Sequence, residues 1–301
     1  MRKFILISKI SIEDANALSS PYSIGFPSMT AWLGAVHALQ RNLRVQGYDN
    51  ICLPATAVSC HNIDVRSHKE AGSSNYVLFG KRFPNKKDGK GASFIVDATC
   101  DLNVSLLIEY ENLSANRISN LLEDIERILM FDMNLASGNV TSIQKLEYLS
   151  FDEDLDEDEQ LSPILRKLML GHVMIERRDL LQKYMDQGKD ALDSILTVLT
   201  TTSIAQRIKI DTDENTEKIV WNTYNQEPGW IVPISIGFKG ISPASKAINQ
   251  RKENPNAEHV FAESIVTLGQ FVMPYRIDSL EQLLWRYNFD VKNKLYLCVN
   301  N

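Results

Sequence analysis

The fold is decided by residues 11–41, whose sequence is SIEDANALSSPYSIGFPSMTAWLGAVHALQR. A hydrophobic run over residues 4–10 precedes them and predicts a buried strand. The middle of the stretch is rich in Ser, Asn, Gly and Pro, which predicts a loop, and residues 28–46 are a predicted helix with Ser28 as its N-cap. A strand, a small-residue loop and a helix N-terminus together offer free N–H groups and a positive dipole to an anion.

Two stripes of different chemistry run along the predicted helix. The polar stripe recurs at spacings of four, three, four and three and consists of Thr30, Gly34, His37, Arg41 and Arg44. The apolar stripe beside it consists of Trp32, Val36, Leu39 and Leu43. Such spacing is typical of an amphipathic helix. One face is therefore expected to build a core, while the other is suited to follow a phosphate backbone.

The first half of the chain is predicted to alternate strands and helices in a recognisable order. After the first strand and helix, strands are predicted at 53–63 and 99–110, a helix at 114–131 and a fourth strand at 144–151. This β-α-β-β-α-β order is that of the ferredoxin-like unit. We therefore expect an α+β fold class with a ferredoxin-like core in residues 1–151.

The second half is predicted to add a helical insertion and a C-terminal α/β segment that pack on this core. An acidic loop is expected at 152–160. The elements predicted within residues 161–301 are a helical stretch at 179–200, a Trp-bearing hairpin at 217–240 with its turn at Pro228-Gly229, helices at about 257–270 and 278–287, and a closing strand at 294–299. Trp221, Trp230 and Trp285 are interpreted as core or subunit-interface residues rather than as stacking platforms.

The formal net charge of −6 is unevenly distributed along the chain. Residues 152–159, DEDLDEDE, contain seven carboxylates and no base, so the rest of the chain is close to neutral. Nucleic-acid affinity depends on local phosphate neutralisation, and the overall charge therefore does not exclude RNA. The acidic run is interpreted as a solvated loop, with contact to a basic neighbouring subunit as the alternative.

A basic segment lies within a polar, Gly-containing excursion at about 66–92, which is predicted to be an extended hairpin protruding from the body. Residues 66–90 contain seven Lys or Arg against two carboxylates, interleaved with Tyr76, Phe79 and Phe83. Aromatic rings can stack on bases while basic side chains hold phosphates. A solvated surface loop is the alternative interpretation, because an isolated charge run usually faces water.

Several blocks of the sequence resemble one CRISPR-associated family and keep its order. The first is the quoted stretch, in the pattern S-I-x-x-A-N-A-x-S-S-P-x-x-x-G-F-P-S-x-x-A-x-x-G-x-V-H-A-L-Q-R. The others are Val104–Leu107, then Gly229–Ile234 with Gly237-Phe238 and Ile241–Pro243, and finally Leu268-Gly269 with Pro274–Arg276 and Ser279–Trp285. Through these blocks the chain resembles the Cas-five-type RAMP subunit of the type I-F surveillance (Csy) complex, which grips the 5′ handle of the guide RNA.

The resemblance implies a non-catalytic RNA-binding subunit. Such a subunit binds the 5′ handle of the crRNA, pairs with the large subunit, starts the filament of backbone subunits and meets target DNA only through the assembled complex. It also implies that the excursion is a thumb that meets the guide. The residues expected at the RNA are Asn16, Ser19, Ser20, Gly25, Ser28, His37, Arg41, Arg44, Arg66, Lys81, Arg82, Lys86, Lys87, Lys90, Gly237, Phe238 and Lys239.

Three of these predictions also have a structural interpretation, which weighs evenly against RNA contact for His37 alone. Gly25 would act indirectly by shaping the loop, and His37 could be a helix-surface or core histidine. The Gly237–Gly240 segment could be a strand-end turn instead of a close backbone approach to RNA.

The alternative function is that of an endoribonuclease that processes precursor crRNA. His37 with Arg41, or His61 with His68, could supply its general acid and base. The resemblance implies that a separate subunit does the cutting, and the sequence has no motif for nucleotide hydrolysis or dehydrogenase chemistry. We therefore expect no catalytic residue, cofactor or metal.

Cysteine usage and hydropathy suggest a cytoplasmic location. The four cysteines, which show no C-x-x-C pairing, are Cys52, Cys60, Cys100 and Cys298. They are interpreted as small buried hydrophobes. No apolar run approaches the length of a membrane-spanning helix, and Lys9, Glu13 and Asp14 interrupt the first run too early for a signal peptide. No membrane partner is expected.

Overall fold

The computed structural model describes residues 1–73, 75–82, 85, 87–152, 156–209, 217–246 and 258–300. The helices are α1 (Met29–Val45), α2 (Ile118–Arg127), α3 (Glu157–Leu168), α4 (Arg178–Met185) and α5 (Ala191–Leu199). Short 3₁₀ turns cover Ala115–Arg117 and Pro274–Arg276, and a π turn extends α2 over Ile128–Asp132.

The strands of the first half are β1 (Arg2–Asn16), β2 (Leu18–Ser20), β3 (Ser23–Ile24), β4 (Thr56–Val65), β5 (Ser67–His68), β6 (Val77–Leu78), β7 (Gly80–Arg82), β8 (Phe94–Val96), β9 (Thr99–Glu109) and β10 (Asn139–Phe151). Those of the second half are β11 (His172–Glu176), β12 (Thr201–Lys209), β13 (Glu217–Asn225), β14 (Trp230–Gly240), β15 (Ser245–Lys246), β16 (Glu258–His259), β17 (Ala262–Val272), β18 (Trp285–Asp290) and β19 (Leu295–Asn300).

One antiparallel sheet organises the molecule, in the order β10-β1-β9-β4-β11-β17-β14-β19-β18. Its first four strands are those predicted for the first half, and α1 and α2 connect them in the predicted sequence order. The strand with the strongest apolar run, β1, lies between β10 and β9, where both of its edges are paired. These predicted elements are confirmed, with end points shifted by a few residues.

The sheet has a core on each face because strand side chains alternate between faces. On one face, Trp32 and Leu39 of α1 and Ile125 of α2 are buried against β1 and β9. On the other face, Phe4 and Leu107 are buried against α3 and the apolar turn at 280–284. Each fully buried large side chain contributes about 1.5–3 kcal/mol to folding, so both layers are needed for stability.

The second half of the sheet closes back on β4. Ser59 and Cys60 in the middle of β4 pair with β11, whereas Thr56 at its start pairs with Trp285 of β18. Trp285 is fully buried, as interpreted from the sequence, and its indole N–H donates to the Met174 carbonyl oxygen at 2.8 Å. Because the buried indole N–H has a hydrogen-bond partner, Trp285 fixes how the second half of the sheet packs against β4.

An ion cluster also joins the two ends of the chain. Arg2 donates to Glu109 through Nε (2.6 Å to Oε1) and Nη2 (2.9 Å to Oε2). Arg286 Nη1 donates to Glu281 Oε2 at 2.6 Å, and Arg2 also pairs with Glu281. The Glu109 side chain is only 9% exposed, so loss of Arg2 would leave a poorly solvated carboxylate without its main partner.

The two helices predicted near the C-terminus are wrong. Residues 262–272 form strand β17, consistent with the β-branched Ile265, Val266 and Thr267. In residues 278–287, the leucines at 280, 283 and 284 are buried as a helix would bury them. A single turn achieves this, because the Leu283 N–H donates to the Leu280 carbonyl oxygen three residues back, and β18 then begins at 285.

The hairpin predicted at 217–240 is also wrong. β13 pairs along its length with β12, a strand that the sequence did not predict, and β14 pairs with β17 in the large sheet. Pro228-Gly229 therefore connects two sheets instead of turning within one. The predicted acidic loop is shorter than 152–160 because α3 begins at Glu157, and residues 153–155 lie outside the described part.

The cysteines are free thiols, and Cys60, Cys100 and Cys298 are buried, in agreement with their interpretation as small hydrophobes. Burial raises the pKa of each of these three thiols to about 12. Among the residues that the structure describes, no helix has both the length and the apolar content to cross a membrane.

Candidate nucleic-acid interface

The small-residue loop between β1 and α1 lies where three of the predicted RNA-contacting regions meet. The Ala17 N–H donates to the Ala98 carbonyl oxygen (2.9 Å), and the Arg66 N–H donates to the Thr99 carbonyl oxygen (2.9 Å). Residue 66 begins the basic excursion, and residue 98 follows its last strand, so the loop contacts the excursion at its base. The loop is followed directly by α1, which carries the polar stripe. The strand register places Trp230 of β14 towards this loop and Gly237–Lys239 towards the opposite end of the sheet.

Hydroxyl groups in the loop bind to one another. The Oγ atoms of Ser19 and Ser20 lie 2.9 Å and 2.7 Å from Ser23 Oγ, and Ser20 is only 5% exposed. Asn16 is exposed at the end of β1, and its Oδ1 accepts the Leu18 N–H at 2.9 Å. These side chains fix the shape of the loop.

Gly25 has a backbone conformation that favours glycine. Its φ is +144°, a region that residues with a Cβ rarely adopt, although the space around the position is open. Its N–H donates to the Ala17 carbonyl oxygen at 2.9 Å and closes the loop. The predicted indirect role of Gly25 agrees with this geometry.

Ser28 precedes the first residue of α1, as predicted, but its side chain does not cap the helix. Its Oγ lies 2.9 Å from Thr30 Oγ1 and makes no hydrogen bond to a backbone N–H of the first turn. The first turn contains no acidic residue. The positive end of the helix dipole is therefore not offset by a carboxylate there.

The two arginines of the polar stripe on α1 have different surroundings. Arg44 donates from Nε (3.3 Å) and Nη2 (3.0 Å) to the Ile51 carbonyl oxygen and so holds the segment that follows the helix. Arg41 is exposed and makes no hydrogen bond or ion pair within the part of the chain that the structure describes. Arg41 is thus available for a ligand, while Arg44 is already committed.

His37 lies on the exposed side of α1, one turn before Arg41. It lines a cavity of about 200 Å³ together with Leu33, Leu53, Pro54 and Tyr287. A cavity of about 150 Å³ can hold a single aromatic ring. The position therefore fits the surface interpretation of this histidine and places it next to a mainly apolar pocket.

Arg66 forms ion pairs with two carboxylates of the same chain. Its Nη2 donates to Asp101 Oδ1 and its Nη1 to Asp14 Oδ1, both at 2.8 Å. The hydrogen bond from Arg66 lowers the pKa of Asp101, and the carboxylates raise that of Arg66. Both partners would have to be released before this guanidinium could hold a phosphate, so Arg66 fixes the base of the excursion.

The excursion forms two short strand pairs, β5–β6 and β7–β8, and extends to Val96. Lys81 and Arg82 lie in β7 opposite Ile95 and Phe94. Lys87 and Lys90 are exposed, and the Lys90 N–H donates to Asp88 Oδ1 at 3.2 Å. Lys86 and Phe83 lie outside the described residues.

Aromatic side chains accompany these bases. Tyr76 and Phe79 are 69% and 54% exposed, and the Lys69 ammonium lies 5.2 Å from the Tyr76 ring centre. Phe94, which the sequence prediction left out, is 71% exposed. The signal that could have found it is the apolar triplet Phe94–Val96, which belongs to the excursion because it pairs with β7.

Gly237 lies close to the backbone of a neighbouring strand. Gly237 is buried at a register shift of β14, where a Cβ would clash with the carbonyl oxygen of Tyr296 on β19. The close backbone approach at Gly237 is therefore to strand β19 of the same chain. Phe238 (40% exposed) and Lys239 remain accessible on the strand.

The histidines proposed for catalysis have other partners. His61 Nε2 lies 2.7 Å from Ser105 Oγ, and burial lowers the pKa of the imidazole, with Lys9 and His172 as nearby charges. His68 is exposed beside the Phe79 ring, at 6.5 Å between ring centres. No group of three or more His, Cys, Asp or Glu suited to a metal ion occurs in the described part of the chain.

Comparison with known proteins identifies a family and a similar protein. The sequence matches the family model described as CRISPR-associated protein (Cas_Csy2) over residues 5–298. It is also 27% identical over 312 residues to the CRISPR-associated protein Csy2 of Pseudomonas aeruginosa strain UCBPP-PA14. That alignment covers 97% of this chain and 93% of the relative.

Proposed function

Since this chain belongs to the Csy2 family of CRISPR-associated proteins, we propose that it is a non-catalytic RNA-binding subunit of a type I-F CRISPR surveillance complex. In this proposal it binds the 5′ handle of the crRNA, pairs with the large subunit and starts the filament of backbone subunits. We also propose that β1, α1, β4, β9, α2 and β10 form a ferredoxin-like core of the RAMP type. The order β10-β1-β9-β4 with two connecting helices supports this assignment.

The observation that carries the RNA-binding proposal is the convergence of predicted regions on the loop between β1 and α1. The loop contacts the base of the basic excursion through Ala98, and it leads into the α1 stripe that contains Arg41. A single strand that ran from this loop along the exposed side of α1 would meet cations of the excursion near the loop and Arg41 about three turns into the helix. Phosphate neutralisation by such groups supplies most of the affinity for RNA.

The stacking groups support single-stranded over duplex RNA. Exposed rings at Tyr76, Phe79 and Phe94 accompany the bases of the excursion. Rings stack on unpaired bases, whereas the bases of an A-form duplex are already stacked. A handle with splayed bases fits this arrangement.

Two arginines of α1 provide a matched test. Arg41→Ala should reduce the slope of log affinity against log salt for a handle-containing guide RNA by about 0.7, the value for one phosphate contact to a single strand. Arg44→Ala should leave the slope unchanged but lower the Tm, because it removes two hydrogen bonds to Ile51. Arg41→Lys, which keeps the charge, should behave like the unmodified chain.

The measurement is filter binding of a guide RNA at several salt concentrations, with a Tm for each variant. An unchanged salt slope in Arg41→Ala would show that Arg41 faces solvent in the complex and would contradict the interface. An equal slope loss in both variants would contradict the assignment of Arg44 to structure.

A further inference from the structure

The β12–β13 hairpin lies outside the large sheet and is almost entirely exposed. Its two strands pair with each other over nine positions, from Thr201↔Asn225 to Lys209↔Glu217, as a separate two-stranded sheet. Among its described side chains none is buried. An isolated two-stranded hairpin is marginally stable in water, because it has no apolar layer to pack against.

The base of the hairpin contacts the body of the molecule, although its strands are not covered. Glu227, just after β13, accepts from Lys183 Nζ (2.6 Å) and from the Tyr184 hydroxyl (2.7 Å) of α4. The other strand at this base, β12, begins after the single residue that follows α5. The hairpin is thus positioned by the body while it presents both faces to solvent.

The exposed surface of the hairpin is apolar and aromatic. Trp221 is 67% exposed, and its direct cross-strand neighbour is the small Ala205, which leaves most of the indole uncovered. Ile219 on the same face is 55% exposed, and Tyr224 on the opposite face is 43% exposed. Polar cross-strand pairs stabilise the register of the two strands, as in the hydrogen bond between Ser203 Oγ and Thr223 Oγ1 at 3.0 Å.

The charge of the hairpin argues for a protein partner over a nucleic acid. None of the residues at 201–206 and 219–225, whose side chains are described, is charged. By sequence, residues 207–218 add four acids against three bases. Nucleic-acid surfaces need an excess of Lys and Arg, whereas the centres of protein interfaces are depleted of charge and enriched in Trp and Tyr.

We propose that the β12–β13 hairpin is a docking arm for another protein subunit, with Trp221 as its anchor in an uncharged, apolar pocket of that partner. This inference rests on the proposed function, because it takes the partner to be a subunit of the same CRISPR complex. Burial of an indole removes about 150–250 Å² of side-chain surface from water, and Trp is therefore a frequent hot-spot residue in protein interfaces. The partner also supplies the covering layer that the hairpin lacks.

The test compares the accessibility of Trp221 in three samples: the free chain, the chain with guide RNA alone, and the complex co-expressed with the other subunits and guide RNA. Brief hydroxyl-radical oxidation followed by mass spectrometry measures each side chain. Phe131, which is 80% exposed on the π turn after α2, is the internal reference. We expect Trp221 oxidation to fall several-fold in the complex only.

Three results would overturn the proposal. Equal oxidation of Trp221 in the free chain and in the complex would show that nothing covers the arm. Protection by guide RNA alone would assign the hairpin to nucleic acid. If no complex assembles on co-expression, the proposed function fails and the docking arm fails with it. This outcome is distinguishable from failure of the arm alone, because the co-expressed sample then contains no partner subunit.

Variants provide an independent readout. Trp221→Ser should reduce the fraction of chain recovered in the complex by about tenfold, as expected for a Trp hot spot, and Trp221→Phe should restore part of it. Phe131→Ser is the matched control and should assemble normally. Full assembly of Trp221→Ser would contradict the anchor role, even if the hairpin is covered.

Discussion

Two of the strand pairs that lie outside the large sheet present opposite chemistry. The β7–β8 pair belongs to the basic excursion, where seven Lys or Arg occur within residues 66–90. The β12–β13 hairpin exposes Trp221 and Tyr224 and has no charge among its described side chains. The same backbone element can therefore serve different partners, because side-chain charge decides between phosphate and protein.

Both pairs are attached to the body by ion pairs at their bases. Arg66 joins Asp101 and Asp14 where the excursion begins, and Glu227 joins Lys183 where the hairpin ends. The attachments differ in context, since Arg66 binds two carboxylates of the sheet strands, whereas Glu227 binds a helix. The basic excursion and the β12–β13 hairpin, together called the two arms, can thus each be altered at the surface or at the base.

The largest expected effect separates the surfaces of the two arms. Simultaneous replacement of the bases at 81, 82, 86 and 87 by Ala should weaken guide-RNA binding by roughly 100-fold near physiological salt, because several phosphate contacts are lost together. Trp221→Ser should leave the affinity for RNA unchanged. Filter binding with both variants measures this, and an equal loss in the two would remove the distinction between the arms.

The bases of both arms should loosen at acid pH. Hydrogen bonds from Arg66 lower the pKa of Asp101 below 3.8, and hydrogen bonds from Lys183 and Tyr184 lower that of Glu227 below 4.5. A lowered folded-state pKa means that the stabilisation is present above the ordinary value and is lost as pH falls through the folded-state value. The Tm should therefore decline from pH 5 towards pH 3.

The double variant Asp101→Asn, Glu227→Gln is the control for this decline. It lacks both titrating groups, so its Tm should fall less steeply over the same pH range. An identical slope would show that other carboxylates dominate the acid response.

Asp101→Asn alone tests the base of the excursion at neutral pH. The variant loses the charge that pairs with Arg66, and we expect a loss of about 0.5–1 kcal/mol in the free energy of unfolding, because both side chains are more than one-third exposed and water screens them. Limited proteolysis should cut faster between residues 66 and 98. Unchanged cleavage would show that Arg66 does not hold the excursion.

The smallest effect is expected at the base of the hairpin. Glu227→Gln keeps an acceptor for the Tyr184 hydroxyl and loses only the ion pair with an exposed lysine. Surface ion pairs of this kind contribute little. The Tm should change less than in Asp101→Asn, while proteolysis within 201–225 should increase slightly, and a larger change than in Asp101→Asn would reverse the order of the two bases.

Local sequence signals predicted the first half of the fold well. The apolar run of β1 and the two stripes of α1 are strong periodic patterns, and the structure confirms both elements. The second half was harder, because its strand partners are distant in sequence. Nothing local shows that β13 pairs with β12 or that β14 joins β17, and the leucines at 280–284 satisfy a helical pattern with a single turn.

The candidate interface divides in the same way. Sequence alone located the loop, the stripe on α1 and the basic excursion, but it could not distinguish available cations from committed ones. Arg41 and Arg44 are equivalent in the sequence pattern, and only the position of the Ile51 carbonyl oxygen separates them. The close approach of Gly237 to β19 could not be predicted, because that strand lies almost sixty residues further along the chain.

The closure at β4 has a consequence for synthesis of the protein. β4 pairs with β9, with β11 and, through Thr56, with β18. During translation β9 is made soon after β4, but the strands for the other edge emerge only at residues 172–176 and 285–290. An open strand edge is a template for pairing with other chains. The nascent chain must keep this edge protected until its last strands leave the ribosome.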